Sequence, residues 1–465
     1  MFPQKITRRF RFFMWFVSRY FSRHGQRVLS ILLFLIVLTG VLYWILKFVN
    51  PFNPTHTEGI IGTYTVEKLP ARVTNLVSVG LTRVNSEGNF EPQLATWTVD
   101  EEGKTYTFTL KDNTFWQDGK KVVTSDLVIA IEGVTINYPN EKTIEFKLNE
   151  PFSPFPSLLS KPIFRKNTLV GAGKYKIKKL ETQSQNVSQV KLESLEKNLP
   201  NVDFNFYHTE DSALTALKLG QVDAIYGVFN HKPSDTWPNW QVEKVPAYNK
   251  IVTIFFNTKD QFLTKEARLA LNYLIDRSKY EHTLATSTIS PTSWAYNPEL
   301  KHFEKNVEKA NELVKDLNLE NQKVILSTLP QFESVANMIA NDWRKLLIEV
   351  EVKVVGQFEE NYQVFLAGQE FPIDPDQYTL WHSTQKTNIT KLSSPRIDKL
   401  LEDGRKLVDP NERKQKYHDF QKVLIDESPA IFLYFPDNYF ISRRKVTKNV
   451  DRISTAYPNF KTISD

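Results

Sequence analysis

The hydrophobic and polar positions of residues 251–277 predict a buried strand followed by an amphipathic helix. Residues 251–256, IVTIFF, are all β-branched or aromatic, which is typical of a short buried strand. Thr264 can cap the helix, whose apolar positions recur at spacings of three and four, as Ala267, Ala270, Leu271, Leu274 and Ile275 do. We expect this α/β unit to be the crossing point between two lobes of one protein.

Similar alternations of strand and helix patterns lie on both sides of this unit. The predicted elements are strands over 202–207 and 222–226 around a helix over 210–219 that ends at Gly220, strands over 323–329 and 349–355 around a helix over 333–348, helices over 396–408 and 410–427, and a strand over 430–435. The second group is a βαβ unit, so its strands should be parallel with a right-handed crossover.

The N-terminal pattern predicts a membrane anchor. Residues 28–49 are predominantly apolar with one charge, Lys47, and are long enough to cross a bilayer. Seven Lys and Arg residues precede them, which places residues 1–27 in the cytoplasm and the rest outside the cell membrane. Residues 50–54 offer no small-x-small cleavage site, so we favour an uncleaved single-pass anchor over a cleaved secretion signal or a buried core helix. Residues 50–59, rich in Pro, Asn and Thr, then read as a linker.

The charge distribution and the absence of cysteine exclude several kinds of binding and chemistry. The net charge is +6, but residues 1–50 carry eight bases and no acid, and the remainder holds 51 bases and 53 acids. The net positive charge therefore comes from residues 1–50 and gives no indication of nucleic-acid binding. The chain has no Cys, which excludes disulfides, a thiolate nucleophile and a lipid anchor on Cys.

Motifs for catalysis or a cofactor are missing from the sequence. There is no H-E-x-x-H, no G-x-S-x-G and no complete phosphate loop, because Gly171 to Lys174 lacks the earlier Gly and Tyr175 stands where Ser or Thr is needed. The eight His are scattered singly, so we expect no metal and no cofactor. The sequence makes no case for an enzyme, although spacing alone does not exclude a carboxylate pair.

Several motifs in order carry a family resemblance. They are PQLATW at 92–97, GKTYTFTL at 103–110, FWQDGK at 115–120, TSDLV at 124–128, ALKLGQVDAIYG at 216–227, and FNT followed by RLALNYLIDR at 268–277. Together they resemble the extracytoplasmic solute-binding proteins of family 5, the oligopeptide and dipeptide class that serves ABC importers. The resemblance covers roughly residues 58–448.

The resemblance implies an α/β, two-lobed, periplasmic-binding-protein-like fold of the type II oligopeptide-binding class. The expected parts are a first lobe over 60–250 with a small subdomain at about 85–165, a second lobe over 251–430, and a return to the first lobe over 431–465. The small subdomain looks trimmed, because the chain passes from Ile131 almost directly to a strand over 143–148.

The resemblance also implies where a ligand is held. Members of the family carry an acidic loop that meets the α-ammonium of a bound peptide, and residues 362–383, YQVFLAGQEFPIDPDQYTLWHS, are similar to it. The candidate ligand contacts are Glu370, Asp374, Asp376, Trp381, His382, Tyr434, Tyr64 and Asn257. Two alternatives stay open, namely that Asp374 and Asp376 only shape a turn and cap a helix, and that the rings only pack in the core.

The expected function is that of a membrane-tethered, monomeric receptor that closes on a peptide and presents it to an ABC permease. The alternative is a surface-anchored enzyme or interaction module that keeps the binding-protein fold without import. The ligand itself stays open, because this fold also carries nickel complexes and sugars.

Overall fold

The computed structural model describes residues 4–48, 54–85, 87–228, 239–317, 322–346, 348–444 and 447–457. The helices are α1 (Gln4–Phe48), α2 (Ala71–Val77), α3 (Phe155–Leu158), α4 (Glu210–Leu219), α5 (Lys265–Leu274), α6 (Val307–Val314), α7 (Glu333–Trp343), α8 (Tyr378–Trp381), α9 (Pro395–Lys406), α10 (Pro410–Glu427) and α11 (Thr447–Ala456). Single 3-10 turns lie at Thr124–Asp126, Arg277–Lys279, Pro330–Phe332 and Arg344–Leu346.

The strands belong to four sheets. They are β1 (Thr55–Ile61), β2 (Thr82–Val84), β3 (Phe90–Pro92), β4 (Ala95–Val99), β5 (Thr105–Leu110), β6 (Val134–Asn140), β7 (Thr143–Leu148), β8 (Tyr175–Gln183), β9 (Asn186–Ser194), β10 (Asn201–Tyr207), β11 (Ala224–Val228), β12 (Trp240–Pro246), β13 (Lys250–Phe256), β14 (Thr283–Leu284), β15 (Lys323–Thr328), β16 (Glu349–Val354), β17 (Val364–Glu370), β18 (Ala430–Phe435) and β19 (Asp437–Arg443).

The chain divides into two units, Met1–Thr55 and His56–Asp465. The first unit is dominated by α1, a continuous helix of 45 residues whose described apolar side chains, such as Leu33, Phe34 and Ile36, are exposed. Over the residues that the structure describes, no helix meets the combined length and apolar character required to cross a membrane. The predicted span over 28–49 therefore finds no support there, and Val49 lies outside the described residues.

A seven-stranded sheet forms the base of the second unit, in the order β12-β19-β11-β1-β10-β9-β8. Strands β1 and β11 are parallel, whereas β8, β9 and β10 form an antiparallel ribbon. Residues 55–59, expected in the linker, belong to β1, because Glu58 is fully buried and pairs with the buried Arg72 of α2. The folded body therefore begins before the predicted boundary at residue 60.

A six-stranded sheet forms the second lobe, in the order β14-β18-β13-β17-β15-β16. Strand β13 is central, and each residue of its Ile251–Phe256 stretch is buried, as its sequence predicts. Thr264 caps α5, since its Oγ1 accepts a hydrogen bond from the backbone N of Ala267 at 3.3 Å. The predicted βαβ unit is β15, α7 and β16, and its two strands are parallel.

A four-stranded antiparallel sheet, β4-β5-β7-β6, makes a small subdomain with its own apolar core. That core includes Leu81, Phe108, Phe146 and Phe155. The chain enters and leaves the subdomain at one place, where the backbone N of Ile163 donates to the carbonyl of Val79 at 3.1 Å. We call residues 80–162 the small subdomain below.

The return from the second lobe to the first comes later than predicted. The strand at 430–435 is β18, which pairs with β13 in the six-stranded sheet, and the next strand, β19, pairs with β11 and β12 in the seven-stranded sheet. The chain therefore crosses at Pro436 rather than at residue 431. The reason is that all six residues of β18 are buried and complete the core on both faces of the second lobe.

Candidate ligand-binding site

The two passages between the large sheets lie side by side. One leads from β12 to β13 through residues 247–249, and the other leads from β18 to β19 through Pro436. The backbone N of Ala247 donates to the carbonyl of Pro436 at 2.8 Å, which joins the two passages. The ring of Tyr248 also packs edge-on against Phe435, with ring centres 5.2 Å apart. We call residues 246–250 and 435–437 the hinge.

A charged cluster occupies the hinge. The side chain of Asp437 is fully buried, and one of its oxygens lies 3.0 Å from Nζ of Lys244 and contacts Nδ1 of His282. Lys244 comes from the seven-stranded sheet, whereas His282 immediately precedes β14 of the other sheet. The predicted contact residue Tyr434 stacks on the His282 ring at 4.4 Å, and burial raises the pKa of Tyr434 to about 12. Tyr434 is therefore a neutral, buried ring beside the hinge.

Glu370 is the exposed acid of the predicted loop. It ends β17 directly opposite Lys250, the first residue of β13, and its carboxylate lies 2.9 Å from Nζ of Lys250. About two-thirds of the Glu370 side chain is open to solvent. The next backbone N, that of Phe371, donates to the carbonyl of Asn249 within the hinge at 3.1 Å. The structure thus places a solvent-accessible carboxylate at the hinge.

Asp374, by contrast, is buried and already paired. Its two oxygens accept hydrogen bonds from Nη1 and Nη2 of Arg413 in α10 at 3.0 and 2.5 Å. The remaining Arg413 donors reach the Gly404 carbonyl at 2.9 Å and the Tyr417 hydroxyl at 3.1 Å. Burial alone would lower the pKa of Arg413, but Tyr417 and Asp374 raise it above its ordinary value. This arrangement is a two-pronged ion pair that holds the loop onto α10.

Asp376 is buried beside a second arginine. One oxygen accepts a hydrogen bond from the backbone N of Tyr378 at 3.2 Å, which is the turn geometry weighed as an alternative above. The other lies 3.1 Å from Nε of Arg405, but that N–H is not aimed at it and makes no hydrogen bond in the described part of the chain. Burial raises the pKa of Asp376, although the charge of Arg405 acts in the opposite direction.

Arg405 also touches the small subdomain. Its guanidinium lies between two rings, 4.8 Å from the centre of Phe152 and 4.2 Å from that of Tyr378. The backbone N of Ser153 donates to the Arg405 carbonyl at 2.7 Å. Since Ser153 belongs to the small subdomain and Arg405 to the second lobe, this contact bridges the two sides of the molecule, and we call it the bridge.

The other predicted contacts have structural surroundings. Trp381 is buried, donates from Nε1 to Oγ1 of Thr288 at 3.2 Å and packs edge-on against Phe432. His382 is buried, stacks on Tyr378 at 4.1 Å and lies 3.3 Å from the Glu402 carboxylate.

Two more residues complete the predicted set. Asn257 donates from Nδ2 to the Tyr362 carbonyl at 2.9 Å and accepts from the backbone N of Lys259 at 3.2 Å, so it shapes the end of β13. Tyr64 is half-buried in the core of the first lobe, with its ring 5.5 Å from that of Phe206. The structure brings Glu370 and Tyr434 to the hinge and leaves these two elsewhere. Their roles toward a ligand stay predictions.

The sequence reasoning missed the basic partners, namely Lys250, Arg405 and Arg413. A signal for Arg413 was present, because it shares a face of α10 with Tyr417, Phe420 and Leu424, at spacings of four, three and four, and all four are buried. An arginine on the core-facing side of a helix requires a buried acceptor. Asp374 is that acceptor.

Comparison with known proteins gives a consistent result. The family model described as bacterial extracellular solute-binding proteins, family 5 Middle, matches residues 130–391, more than half of the chain. The oligopeptide-binding protein OppA of Bacillus subtilis is 22% identical, over 77% of this chain and 81% of its own length. The nickel-binding protein NikA of Staphylococcus aureus is 21% identical, over 79% of this chain and 84% of its own length.

A solved structure agrees at the level of the fold. It is the ABC transporter-associated periplasmic binding protein DppA from Helicobacter pylori in complex with peptide STSA. The two chains have 20% sequence identity and a TM-score of 0.63, and the match covers 86% of this chain and 96% of the other. The predicted two-lobed α/β solute-binding fold is therefore confirmed. The relatives named here are binding proteins rather than enzymes.

Proposed function

Because this chain belongs to the bacterial extracellular solute-binding proteins of family 5, we propose that it is a receptor that binds a peptide between its lobes and delivers it to the permease of an ABC importer. The observation that carries the proposal is the hinge. Two short, hydrogen-bonded passages join two large sheets, each with its own core. Such a connection concentrates backbone rotation in a few residues and lets the lobes close on a ligand as rigid bodies.

Glu370 is the acid that we assign to the α-ammonium of the peptide. Of the three acids predicted for this role, Asp374 is buried against Arg413 and Asp376 is buried beside Arg405, whereas Glu370 is exposed at the hinge. Its present partner, Lys250, is part of a surface pair, and such pairs contribute little stability. A ligand ammonium can therefore take the place of Lys250 at low energetic cost.

Calorimetry with one peptide in free and N-acetylated form tests this assignment. A peptide α-amino group has a pKa of about 7.7–8.0, so it is mostly charged at pH 7. Loss of one partner from a buried, hydrogen-bonded charge pair costs about 2–5 kcal/mol, or roughly 30-fold to several thousand-fold in affinity. Both acetylation and Glu370→Gln should weaken binding by that order. Equal affinities for the two peptides would overturn the assignment.

A matched control separates this effect from a general loss of charge. Glu312 is exposed on α6, and Glu312→Gln makes the same chemical change away from the hinge. It should leave the affinity for the free peptide unchanged. Mass spectrometry of the compounds that co-purify with residues 56–465 addresses the ligand class directly, and recovery of a metal complex without any peptide would contradict a peptide receptor.

We also propose that the N-terminal segment tethers the receptor to the outer face of the cell membrane as a monomer. The support is the sequence of residues 28–49, predominantly apolar with one charge, and the seven bases that precede it. The full-length protein should remain in the membrane fraction after high-salt and alkaline washing. Recovery of a soluble form that begins near residue 50 would contradict the tether without affecting the binding proposal.

A further inference from the structure

A cavity of about 640 Å³ lies wholly within the second lobe. Its walls come from the end of α5, the segment that follows it, β14, β18 and the loop at 301–305. The volume falls in the range of about 300–1,000 Å³ that is usual for small-molecule sites. All of its lining residues lie between Asn272 and Phe432, and Glu370 is not among them. The cavity is therefore distinct from the site at the hinge.

Arg277 is the most informative residue of the cavity wall. Its guanidinium donates to the carbonyls of Phe303 and Asn272, at 3.0 and 3.4 Å, and to Oδ1 of Asn272 at 2.6 Å. These bonds use three of its five N–H groups. Within the described ranges, no carboxylate lies within 4.0 Å of it. Burial lowers the pKa of Arg277 to about 10, so the group is still a cation at pH 7.

Asn272 supplies a second donor beside this cation. Its side chain is almost fully buried, and the bond from Arg277 fixes the amide oxygen toward the guanidinium. The amide nitrogen consequently points the other way, and it donates to no residue in the described part of the chain. Arg277 and Asn272 both line the cavity, so a cation and an amide donor stand next to each other on one wall.

Another part of the cavity wall is apolar. Leu284 of β14 and the face of β18 that carries Ala430 and Phe432 form an apolar wall. At the rim, Lys305 is neutralised by Asp276, with Nζ and carboxylate oxygen 2.9 Å apart. The charged lining groups are three bases, Arg277, Lys301 and Lys305, and two acids, Asp276 and Glu304, which leaves one positive charge in excess.

We propose that this cavity binds a small monocarboxylate with an aromatic or aliphatic body. The carboxylate accepts hydrogen bonds from Arg277 and from the amide nitrogen of Asn272, since the planar guanidinium matches carboxylate geometry. The body lies against Leu284 and Phe432. A single excess positive charge suits a monovalent ligand rather than a phosphate, and the guanidinium in the wall disfavours a cation.

The test uses the full-length protein and a pair of probes that differ only in charge, 3-phenylpropionate and its amide. Calorimetry should show binding of the acid with a Kd below about 1 mM and at least about tenfold weaker binding of the amide. Absence of binding by the acid, or equal binding of both probes, would overturn the proposal.

Two variants locate the bound probe. Leu284 is substantially exposed, so Leu284→Glu adds a negative charge at the cavity without disturbing the core. This charge repels the carboxylate of the probe, and the affinity for 3-phenylpropionate should fall at least about tenfold. Leu219→Glu makes the same substitution at an exposed position on α4 and should leave the affinity for 3-phenylpropionate unchanged. Arg277→Lys should weaken the acid similarly, and if that variant fails to fold, the Leu284→Glu result decides.

One further variant separates this cavity from the hinge site. Glu370→Gln should leave the affinity for 3-phenylpropionate unchanged, because Glu370 does not line the cavity. If Glu370→Gln changes that affinity while Leu284→Glu does not, the probe binds at the hinge and the proposal is wrong. Failure here leaves the peptide-receptor proposal untouched, since that proposal rests on the hinge and on the peptide contact assigned to Glu370.

Discussion

Arg413 and Asp374 carry opposite charges in a buried setting, with less than a tenth of either side chain exposed. Removing water from both charges is costly, and the two hydrogen bonds between them offset that cost only while both are present. The consequence is asymmetric. Losing one partner leaves a buried, unpaired charge, whereas losing both need not destabilise the fold.

We therefore expect Arg413→Met to lower the free energy of unfolding by about 3–5 kcal/mol, measured by urea denaturation. The double variant Arg413→Met, Asp374→Leu should recover part of that loss. As a control, Glu91→Gln removes one partner of the exposed pair between Arg83 and Glu91 and should have little effect. Equal stability of Arg413→Met and the native protein would show that the pair is not buried in solution.

The buried carboxyl group of Asp376 should make the free energy of unfolding depend on pH. Its pKa is raised in the folded protein from an ordinary value of 3.8, because burial disfavours the charged form. The folded state therefore holds this proton after the unfolded state has released it, and the unfolding free energy falls as pH rises from about 3.8 through the raised value. Asp376→Asn has no such proton, so the native protein should lose stability relative to the variant over that window.

Urea denaturation of both proteins between about pH 3 and pH 7 measures this difference. Asp316→Asn makes the same chemical change at an exposed position near the end of α6 and serves as the control. A native protein that gains stability relative to Asp376→Asn as pH rises would contradict the raised pKa. It would mean instead that Arg405 stabilises the charged form.

The residues of the acidic loop could be found from sequence, but which basic residue pairs with which acid could not. Asp374, Asp376 and Glu370 stand in one recognisable segment, whereas Arg405 and Arg413 lie 29 and 39 positions beyond the acids that they face. The pairing is decided by how α9 and α10 pack under the loop. No local pattern records that packing, so sequence alone left open whether each acid serves a ligand or the fold.

At the scale of elements, local patterns predicted a helix or turn correctly where the sequence contains a typical cap or turn residue. The helix at 210–219 is α4, and Gly220 ends it with a positive φ of 81°, as predicted. The β8–β9 ribbon is the opposite case. Its turn places Ser184 and Gln185 at positive φ values of 50° and 71°, positions where glycine or asparagine usually signals a hairpin. With neither residue present, the ribbon had no turn signal.

Gly173 shows why a glycine-rich segment need not bind phosphate. Residues 171–173 lie against the end of α2, where the backbone N of Gly173 donates to the Val77 carbonyl at 2.9 Å. A Cβ on Gly173 would lie 2.5 Å from the carbonyl oxygen of Leu76, which is rigid backbone. These glycines allow close approach of two backbones, and that requirement accounts for the G-A-G spacing.

Gly173→Ala should therefore destabilise the protein by about 1–3 kcal/mol, because the backbone must shift to relieve the clash. Thermal unfolding followed by circular dichroism measures the effect. Gly356→Ala is the matched control, since a Cβ there meets no atom within 4 Å and its φ is not positive. Identical unfolding of the two variants would rule out a packing role for Gly173.

At the scale of the whole molecule, the hinge and the bridge lie at different contacts between the lobes. The hinge consists of covalent passages, whereas the bridge depends on the hydrogen bond from Ser153 to Arg405 and the ring contact with Phe152. Opening the lobes would break the bridge and keep the hinge.

Small-angle scattering of residues 56–465 with and without peptide tests this relation. The ligand-free protein should include an open population, and saturating peptide should shift it toward the compact form, lowering the radius of gyration. The N-acetylated peptide at the same concentration should produce less compaction. An identical profile in all three samples would contradict closure by hinge motion.

The small subdomain has a consequence for how such a protein can change over evolutionary time. It has its own apolar core, and its entry and exit segments are joined by the hydrogen bond between Val79 and Ile163. It is therefore an insertion, or cassette, between two fixed points of the fold. Its length can vary at little cost in stability, since doubling a closed loop costs only about 0.6 kcal/mol in chain entropy. The same cassette supplies Phe152 and Ser153 to the bridge. Insertions or deletions in this one segment can thus change the subdomain's side of the bridge while the hinge and both large sheets stay as they are.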